Sequence, residues 1–156
     1  MVARVGLMLT NQDILIRLSL AVLAGALIGL EREKTKHPAG LRTHMLVSIG
    51  AVLITMAAVE MFPDNPAVMA AAIVTGVGFL GAGTIFRDKN TVRGLTTAAS
   101  LWAVAGVGLA FGAGAYFLAG AAASAMLLTL ELGRLKIFLE TGKRRRKAER
   151  ERKWEK

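Results

Sequence analysis

Five long apolar runs, separated by short polar segments, most strongly restrict how this chain of 156 residues can fold. Each run is close to the roughly 17–25 residues that an α-helix needs to cross the hydrocarbon core of a bilayer. Backbone in hydrocarbon must satisfy its own hydrogen bonds, so the runs are predicted to be helices. The runs are Ile14–Leu30, His44–Phe62, Ala67–Phe86, Leu95–Phe111 and Ala115–Phe138. The predicted fold class is therefore all-α: a polytopic membrane helix bundle with about five transmembrane helices.

The composition supports a membrane protein and argues against a nucleic-acid partner. Hydrophobic residues make up 54% of the chain and the mean hydropathy is +0.49, which is too apolar for a soluble domain of this size. The net charge of +9 would suit nucleic acid, but eleven of the twenty Lys and Arg residues follow Gly133 and most others lie in two clusters between apolar runs. Basic residues distributed in this way orient loops in a membrane. The absence of cysteine excludes disulfides and thiol chemistry.

The basic residues also predict the orientation and the domain organisation. The first and third loops carry four and three Lys or Arg residues, whereas "PDNP" and "GAG" in the second and fourth loops carry none. The positive-inside rule then places the N-terminus outside and the C-terminus in the cytoplasm. We expect a short external N-terminus over 1–12, a transmembrane domain over 13–138 and a basic cytoplasmic tail over 139–156. The tail is either simply solvated or a contact for anionic lipid.

Small residues in the runs predict where helices pack closely, because helix association in lipid depends on close van der Waals contact. The third run has small residues on two opposite faces, so we expect its helix to lie centrally, between other helices. The alternative is that its glycines line a path or form a hinge. The predicted packing positions are Gly25, Gly29, Gly76, Gly78, Gly81 and Gly83.

Two segments resemble each other at an offset of 54 residues. "AGLRTHMLVSIGA" opens the second apolar run and "RGLTTAASLWAVA" opens the fourth, and each follows a small-residue run and a charged loop. One interpretation is an internal repeat whose halves have the same orientation in the membrane. The other is that two small-residue helices are similar in composition alone.

Charged residues concentrate at the predicted cytoplasmic ends of the helices. Carboxylates and arginines on the first and third loops are expected to pair across the interface, either as a structural clamp or as a docking surface or cation sensor. The predicted cytoplasmic charged cluster comprises Glu31, Arg32, Glu33, Arg42, His44, Arg87, Asp88 and Arg93. At the outer end, Asp13 and Arg17 are four residues apart and are expected to pair on one helix face.

No carboxylate lies near the middle of any run, where Mg²⁺ in a single-chain pathway would be expected to need oxygen ligands. An oligomer is a way to form a pathway. No nucleophile–base pair, zinc motif or phosphate loop is apparent, so we expect a protein that is not an enzyme and has no cofactor. The sequence does not specify a metal ligand set.

Four motifs in series carry a family resemblance: "GALIGLERE", "AGLRTHMLVSIGA", "GVGFLGAGTIFRD" and "VRGLTTAASLW". In this order and spacing, over about Arg17 to Gly114, the chain resembles the MgtC/SapB family of bacterial inner-membrane proteins, here without the soluble C-terminal domain of longer relatives. The resemblance implies a multi-pass protein of the bacterial inner membrane, linked to growth under magnesium limitation and, in some pathogens, to survival in host cells.

Two functions are consistent with this resemblance. The first is a non-enzymatic protein that binds or regulates other membrane components, with the lipid bilayer, other membrane proteins or further copies of itself as partners. The alternative is a transporter or channel for magnesium or another cation, formed by an oligomer.

Overall fold

The computed structural model describes residues 9–133, which form five helices and one short hairpin. Four of the helices are long and apolar enough to cross a membrane, and α3, with 17 residues, is at the lower limit of the required length. The predicted all-α bundle is confirmed; the orientation remains a prediction, and residues 139–156 lie outside the described part. The elements are α1 (Asn11–Lys34), α2 (Leu41–Met61), α3 (Pro66–Ala82), β1 (Phe86–Asp88), β2 (Thr91–Arg93), α4 (Leu95–Gly112) and α5 (Tyr116–Gly133).

Local sequence signals account for the ends of α1 and α4. At the start of α1, the Thr10 hydroxyl accepts from Asp13 N–H and the Asp13 carboxylate accepts from Thr10 N–H, which is a capping box. After α4, Gly114 has φ +77°. This left-handed residue lets Ala115 N–H donate to Ala110 C=O, the arrangement of a Schellman motif.

Helix α2 lies between α1 and α4, and glycines on both neighbours allow the close approach. A Cβ at Gly25 would lie 2.8 Å from the His44 carbonyl oxygen, and one at Gly29 would lie 2.6 Å from Leu41 Cα. On the other side, a Cβ at Gly108 would lie 2.5 Å from the carbonyl oxygen of Ser48. Backbones at these crossings are therefore too close for any side chain.

The structure places α3 at the periphery, contrary to its expected central position. In the part of the chain that is described, Gly76 and Gly78 have no atom of another helix within 4 Å of a built Cβ. Gly81 contacts α4 at Ala98 at ordinary distances, from 3.4 Å, and Gly83 is the C-cap of α3 itself. Small residues permit a close approach, but they do not determine which helix is approached from two sides.

The α1–α2 and α3–α4 pairs share features that support the repeat interpretation. Helix α2 begins after the N-cap Gly40, and α4 begins after the N-cap Gly94, 54 residues later. Gly25 faces the backbone of His44 in the first pair, and Gly81, which is 56 residues after Gly25, faces Ala98, which is 54 residues after His44, in the second. The crossing is closer in the first pair.

Two glycines of α4 provide a matched test of the close crossing. Gly108→Ala should destabilise the fold by about 1–3 kcal/mol, because the new methyl group overlaps the α2 backbone. Gly106→Ala is the control, since a Cβ there meets nothing within 4 Å, and its stability should stay within about 1 kcal/mol of the wild type. Thermal unfolding of both variants in the same detergent measures the difference; equal stabilities would contradict the packing described.

Candidate functional site

Buried polar side chains from α1, α2 and α4 meet where α1 ends and where α2 and α4 begin, which we call the inner end of the bundle. The exposed fractions of these residues range from 0 to 6%. Such burial is uncommon for charged groups, which are costly to remove from water. We call this group the inner polar cluster, and its members are Glu31, Arg32, His44, Thr97 and Ser100.

The charged half of the inner polar cluster is incompletely hydrogen-bonded. Arg32 Nη2 donates to Thr97 Oγ1 at 3.3 Å, and Arg32 Nη1 lies 3.7 Å from Glu31 Oε2, an ion pair longer than a hydrogen bond. Both carboxylate oxygens of Glu31 and the Nε of Arg32 are buried without a hydrogen-bond partner. The carboxylate and the guanidinium thus balance each other in charge, while three polar atoms retain unused hydrogen-bonding capacity.

The imidazole of His44 joins α2 to α4. Nδ1 lies 2.9 Å from the Gly40 carbonyl oxygen, and Nε2 lies 3.0 Å from Ser100 Oγ, which is also 2.8 Å from the Thr97 carbonyl oxygen. A carbonyl only accepts, so Nδ1 must carry a hydrogen. In the neutral imidazole Nε2 can then only accept, so the Ser100 hydroxyl donates to it and its single hydrogen is not available to Thr97 C=O. The His44 and Ser100 side chains thus link α2 to α4 directly.

The Ser100–His44 contact resembles a nucleophile and its base, a pair that was not apparent from the sequence. Two features argue against catalysis. A backbone carbonyl, not a carboxylate, orients the imidazole, and Ser100 lies within α4, where the backbone N–H groups are used by the helix. The pair is therefore better suited to joining two helices.

The expected pairing between the first and third loops does not form. Glu33 Oε2 instead accepts from Leu41 N–H at 2.8 Å and caps α2, which has glycine as its N-cap. The four other members of the predicted charged cluster are exposed and form no ion pair within residues 9–133. These residues are Arg42, Arg87, Asp88 and Arg93. Charge alone did not reveal that buried hydroxyls of α4, not the loop carboxylates and arginines, hold the inner end together.

The expected ion pair between Asp13 and Arg17 at the outer end does not form either, because each side chain has another partner. Asp13 belongs to the capping box of α1, whereas Arg17 is buried and its Nη1 donates to Gly112 C=O at 2.6 Å. Gly112 is the last residue of α4, so a cation meets the negative end of that helix. Arg17 therefore ties α1 to the outer end of α4.

Several buried polar residues were missed as site residues from the sequence. Thr97, Ser100 and Ser48 were not among the predicted site residues, and the Ser48 hydroxyl is buried without a hydrogen-bond partner. The sequence signal for such residues is the recurrence of polar residues along one helix face, as with His44, Ser48 and Thr55 of α2, which are all buried.

The inner polar cluster is not built as a metal site. Over residues 9–133, no three His, Cys, Asp or Glu side chains are grouped as metal ligands would be. The carboxylate of Glu31 is next to the guanidinium of Arg32, and this positive charge opposes a second cation. The chemistry that the cluster offers is hydrogen bonding.

The fold and the buried cluster define a class: a polytopic membrane helix bundle whose polar side chains join its helices. The model of the MgtC family matches residues 18–136. The chain belongs to the MgtC family. No solved structure matches it significantly.

Curated relatives agree with this assignment. The chain is 48% identical over 102 residues to protein MgtC of Salmonella typhimurium strain LT2, covering 65% of this chain and 44% of the relative. It is 41% identical over 131 residues to protein SapB of Bacillus subtilis, covering 78% and 56%. It is 40% identical over 129 residues to a protein of Escherichia coli K12 named "putative magnesium transporter YhiD", covering 77% and 60%. The chain thus spans about half the length of these relatives.

Adjacent threonines test the link between α1 and α4. Thr97→Val keeps the shape but removes the acceptor for Arg32, so it should cost about 1–3 kcal/mol of stability. The control is Thr96→Val, because Thr96 is exposed and its hydroxyl makes no hydrogen bond with the described residues. Chemical unfolding in detergent compares the two variants. A larger loss in Thr96→Val would contradict the assigned role of Thr97.

His37, in the loop between α1 and α2, predicts a pH dependence. Burial, and next the positive charge of Arg32, lowers the pKa of His37 below its ordinary value of 6.5. The unfolded chain then binds the proton more tightly, so the contribution to stability is present above pH 6.5 and is lost as the pH falls below it. Unfolding at about pH 7.5 and about pH 5.5 should show a smaller decrease for His37→Gln than for the wild type. An equal decrease would exclude His37 as a contributor.

Proposed function

We propose that this protein is a non-enzymatic member of the MgtC family that supports growth under magnesium limitation by binding other components of the membrane. The observation that carries the proposal is the closed interior of the α1–α2–α4 unit. Since the helices of this unit meet at close glycine crossings within residues 9–133, the surfaces left for recognition are the lipid-facing sides and the inner face.

The glycine crossings close the interior along the length of α2. Toward the inner end, Gly25 and Gly29 bring α1 against α2. Toward the outer end, a Cβ built at Gly112 of α4 would lie 2.6 Å from Thr55 Cβ, so α4 and α2 are close there as well. A hydrated cation needs a cavity with several oxygen ligands. Ser48 and Thr55 are buried at the crossings with α4 in the described residues 9–133, where close packing leaves little room for such an ion.

Two grooves on the sides of the bundle offer surfaces for other membrane components. One, of about 510 Å³, lies between α2 and α3 and is lined by apolar residues such as Leu46, Gly50 and Ile73. The other, of about 410 Å³, lies between α4 and α5 and includes Thr96, Ser100 and Thr129. Small residues and hydroxyls of this kind favour contacts between helices in lipid.

A cation transporter is the second candidate, and the observation that favours it is the buried Glu31 carboxylate, neither oxygen of which has a hydrogen-bond partner. The name of the Escherichia coli relative includes a magnesium-transport role for that protein. Against this candidate, the adjacent Arg32 already balances the charge of Glu31. A transport function would need an oligomer or a rearrangement that separates this pair.

Magnesium flux and growth distinguish the two functions. The purified chain is reconstituted in liposomes that contain a magnesium-sensitive dye, beside protein-free liposomes and liposomes that hold a characterised magnesium channel. The same chain is expressed in a bacterial host that lacks its own MgtC-family proteins and is grown with limiting magnesium. Glu31→Gln is compared with Glu60→Gln, which removes an exposed carboxylate at the end of α2.

We expect improved growth of the host without saturable flux in the liposomes, since recognition and not transport is the proposed activity. A saturable magnesium flux that Glu31→Gln abolishes and Glu60→Gln preserves would overturn the proposal in favour of transport. Absence of both growth improvement and flux would overturn its link to magnesium limitation.

A further inference from the structure

The segment between α3 and α4 forms a short hairpin that contributes no buried residue to the bundle. Strands β1 and β2 pair antiparallel around a two-residue turn, Lys89–Asn90, with Asp88 opposite Thr91. All residues from 85 to 93 are exposed. We call this segment, 85–93, the inner hairpin, because it lies at the same end as the inner polar cluster.

The inner hairpin combines large apolar side chains with unpaired basic ones. Phe86 is 62% exposed and Val92 is 50% exposed. Arg87, Lys89 and Arg93 form no ion pair within residues 9–133, and the one carboxylate, that of Asp88, accepts from Lys89 N–H within the turn. The hairpin thus carries three positive charges and one negative charge.

The strand register places each arginine beside an apolar side chain. Phe86 is opposite Arg93, and Arg87 is opposite Val92. Residues directly opposite in an antiparallel pair share a face, so both faces of the hairpin combine an apolar group with a guanidinium. Arginine keeps its aliphatic part on an apolar surface while its charge reaches a polar one. This arrangement suits the boundary between acyl chains and head groups.

The length of α3 places the inner hairpin at that boundary. Its 17 residues span about 26 Å at 1.5 Å per residue, whereas the hydrocarbon core is about 30 Å thick. The helix therefore ends within a few ångströms of the core boundary, and apolar Ile85 and Phe86 continue beyond it. The β1–β2 pairing provides backbone hydrogen bonds where water is scarce.

The base of the inner hairpin is fixed to the bundle. Gly94 has φ +89°, and a Cβ built there would be 1.8 Å from the Thr84 carbonyl oxygen. Thr84 N–H in turn donates to Gly81 C=O at the end of α3. The hairpin is thus held by close backbone contact and not by a free linker.

We propose that the inner hairpin is an interfacial anchor that binds the head groups of anionic phospholipids. Phe86 and Val92 enter the boundary of the acyl chains, and Arg87, Lys89 and Arg93 contact lipid phosphates. This lipid contact can be tested apart from the partner binding of the proposed function, because residues 85–93 line neither of the two grooves described there.

The absence of cysteine allows the anchor to be tested with a single label. Val92→Cys is labelled with an environment-sensitive dye, and the protein is reconstituted in bilayers of phosphatidylcholine with or without phosphatidylglycerol. Asn90→Cys, at the turn, is the matched label position. The double variant Arg87→Gln/Arg93→Gln removes two positive charges from the hairpin. One control, Lys34→Gln/Lys36→Gln, removes two positive charges near the loop between α1 and α2. The other, Arg87→Lys/Arg93→Lys, keeps the charge of the hairpin.

We expect the emission of the label at position 92 to shift to shorter wavelength when phosphatidylglycerol is present, with a smaller shift at position 90. High salt should reduce the shift, because it screens exposed charges. Arg87→Gln/Arg93→Gln should abolish the shift, and the two other double variants should retain it. Identical spectra in the two bilayers, or equal loss in the Lys34→Gln/Lys36→Gln variant, would overturn the proposal, whatever the outcome of the magnesium assays.

Discussion

The close contact of α2 with the backbones of its two neighbours is the constraint on which the rest of the bundle depends. Lipid does not drive apolar helices together, so the association must come from close packing. Gly29 on one side and Gly108 on the other let backbone meet backbone. This contact also excludes the volume that water would occupy, so polar groups buried beside it depend on partners within the protein, and Ser48 Oγ has none among residues 9–133.

The buried polar contacts at the two ends of the bundle act on the same helix pair. At the outer end, Arg17 of α1 donates to the last residue of α4, and at the inner end Arg32 of α1 donates to Thr97 near the start of α4. The two arginines thus fix α1 and α4 at both ends, whereas glycine contacts fix both against α2. Because an unpartnered guanidinium is costly in a buried site, these contacts define the register of the antiparallel α1–α4 pair.

The parts of this structure that could be predicted from the sequence are those that depend on one property of the residues, such as apolar length or small size. Apolar length predicts the helices, and Gly25 and Gly29 lie at a close crossing because no larger residue fits there. Pairing could not be predicted in the same way. Glu33 was expected to pair with an arginine on another loop. It instead caps the N-terminus of α2, eight residues further on, where the N-cap residue is a glycine and provides no side-chain acceptor. The link between His44 and Ser100 depends on the crossing of α2 and α4, which the sequence of either helix alone does not specify.

The two similar helix pairs differ in how closely their helices pack. This difference indicates which surfaces are available to other molecules. In α1–α2 the paired helices touch through glycine and carry buried charge. In α3–α4 the contact at Gly81 is looser, a Cβ built at Gly76 would meet nothing within 4 Å, and the connecting hairpin is exposed. The closely packed α1–α2 pair therefore leaves little of its contact surface for binding other molecules. The more open second pair retains small residues on a lipid-facing side and basic residues at the inner end, so recognition by this protein is best sought at α3 and the hairpin that follows it.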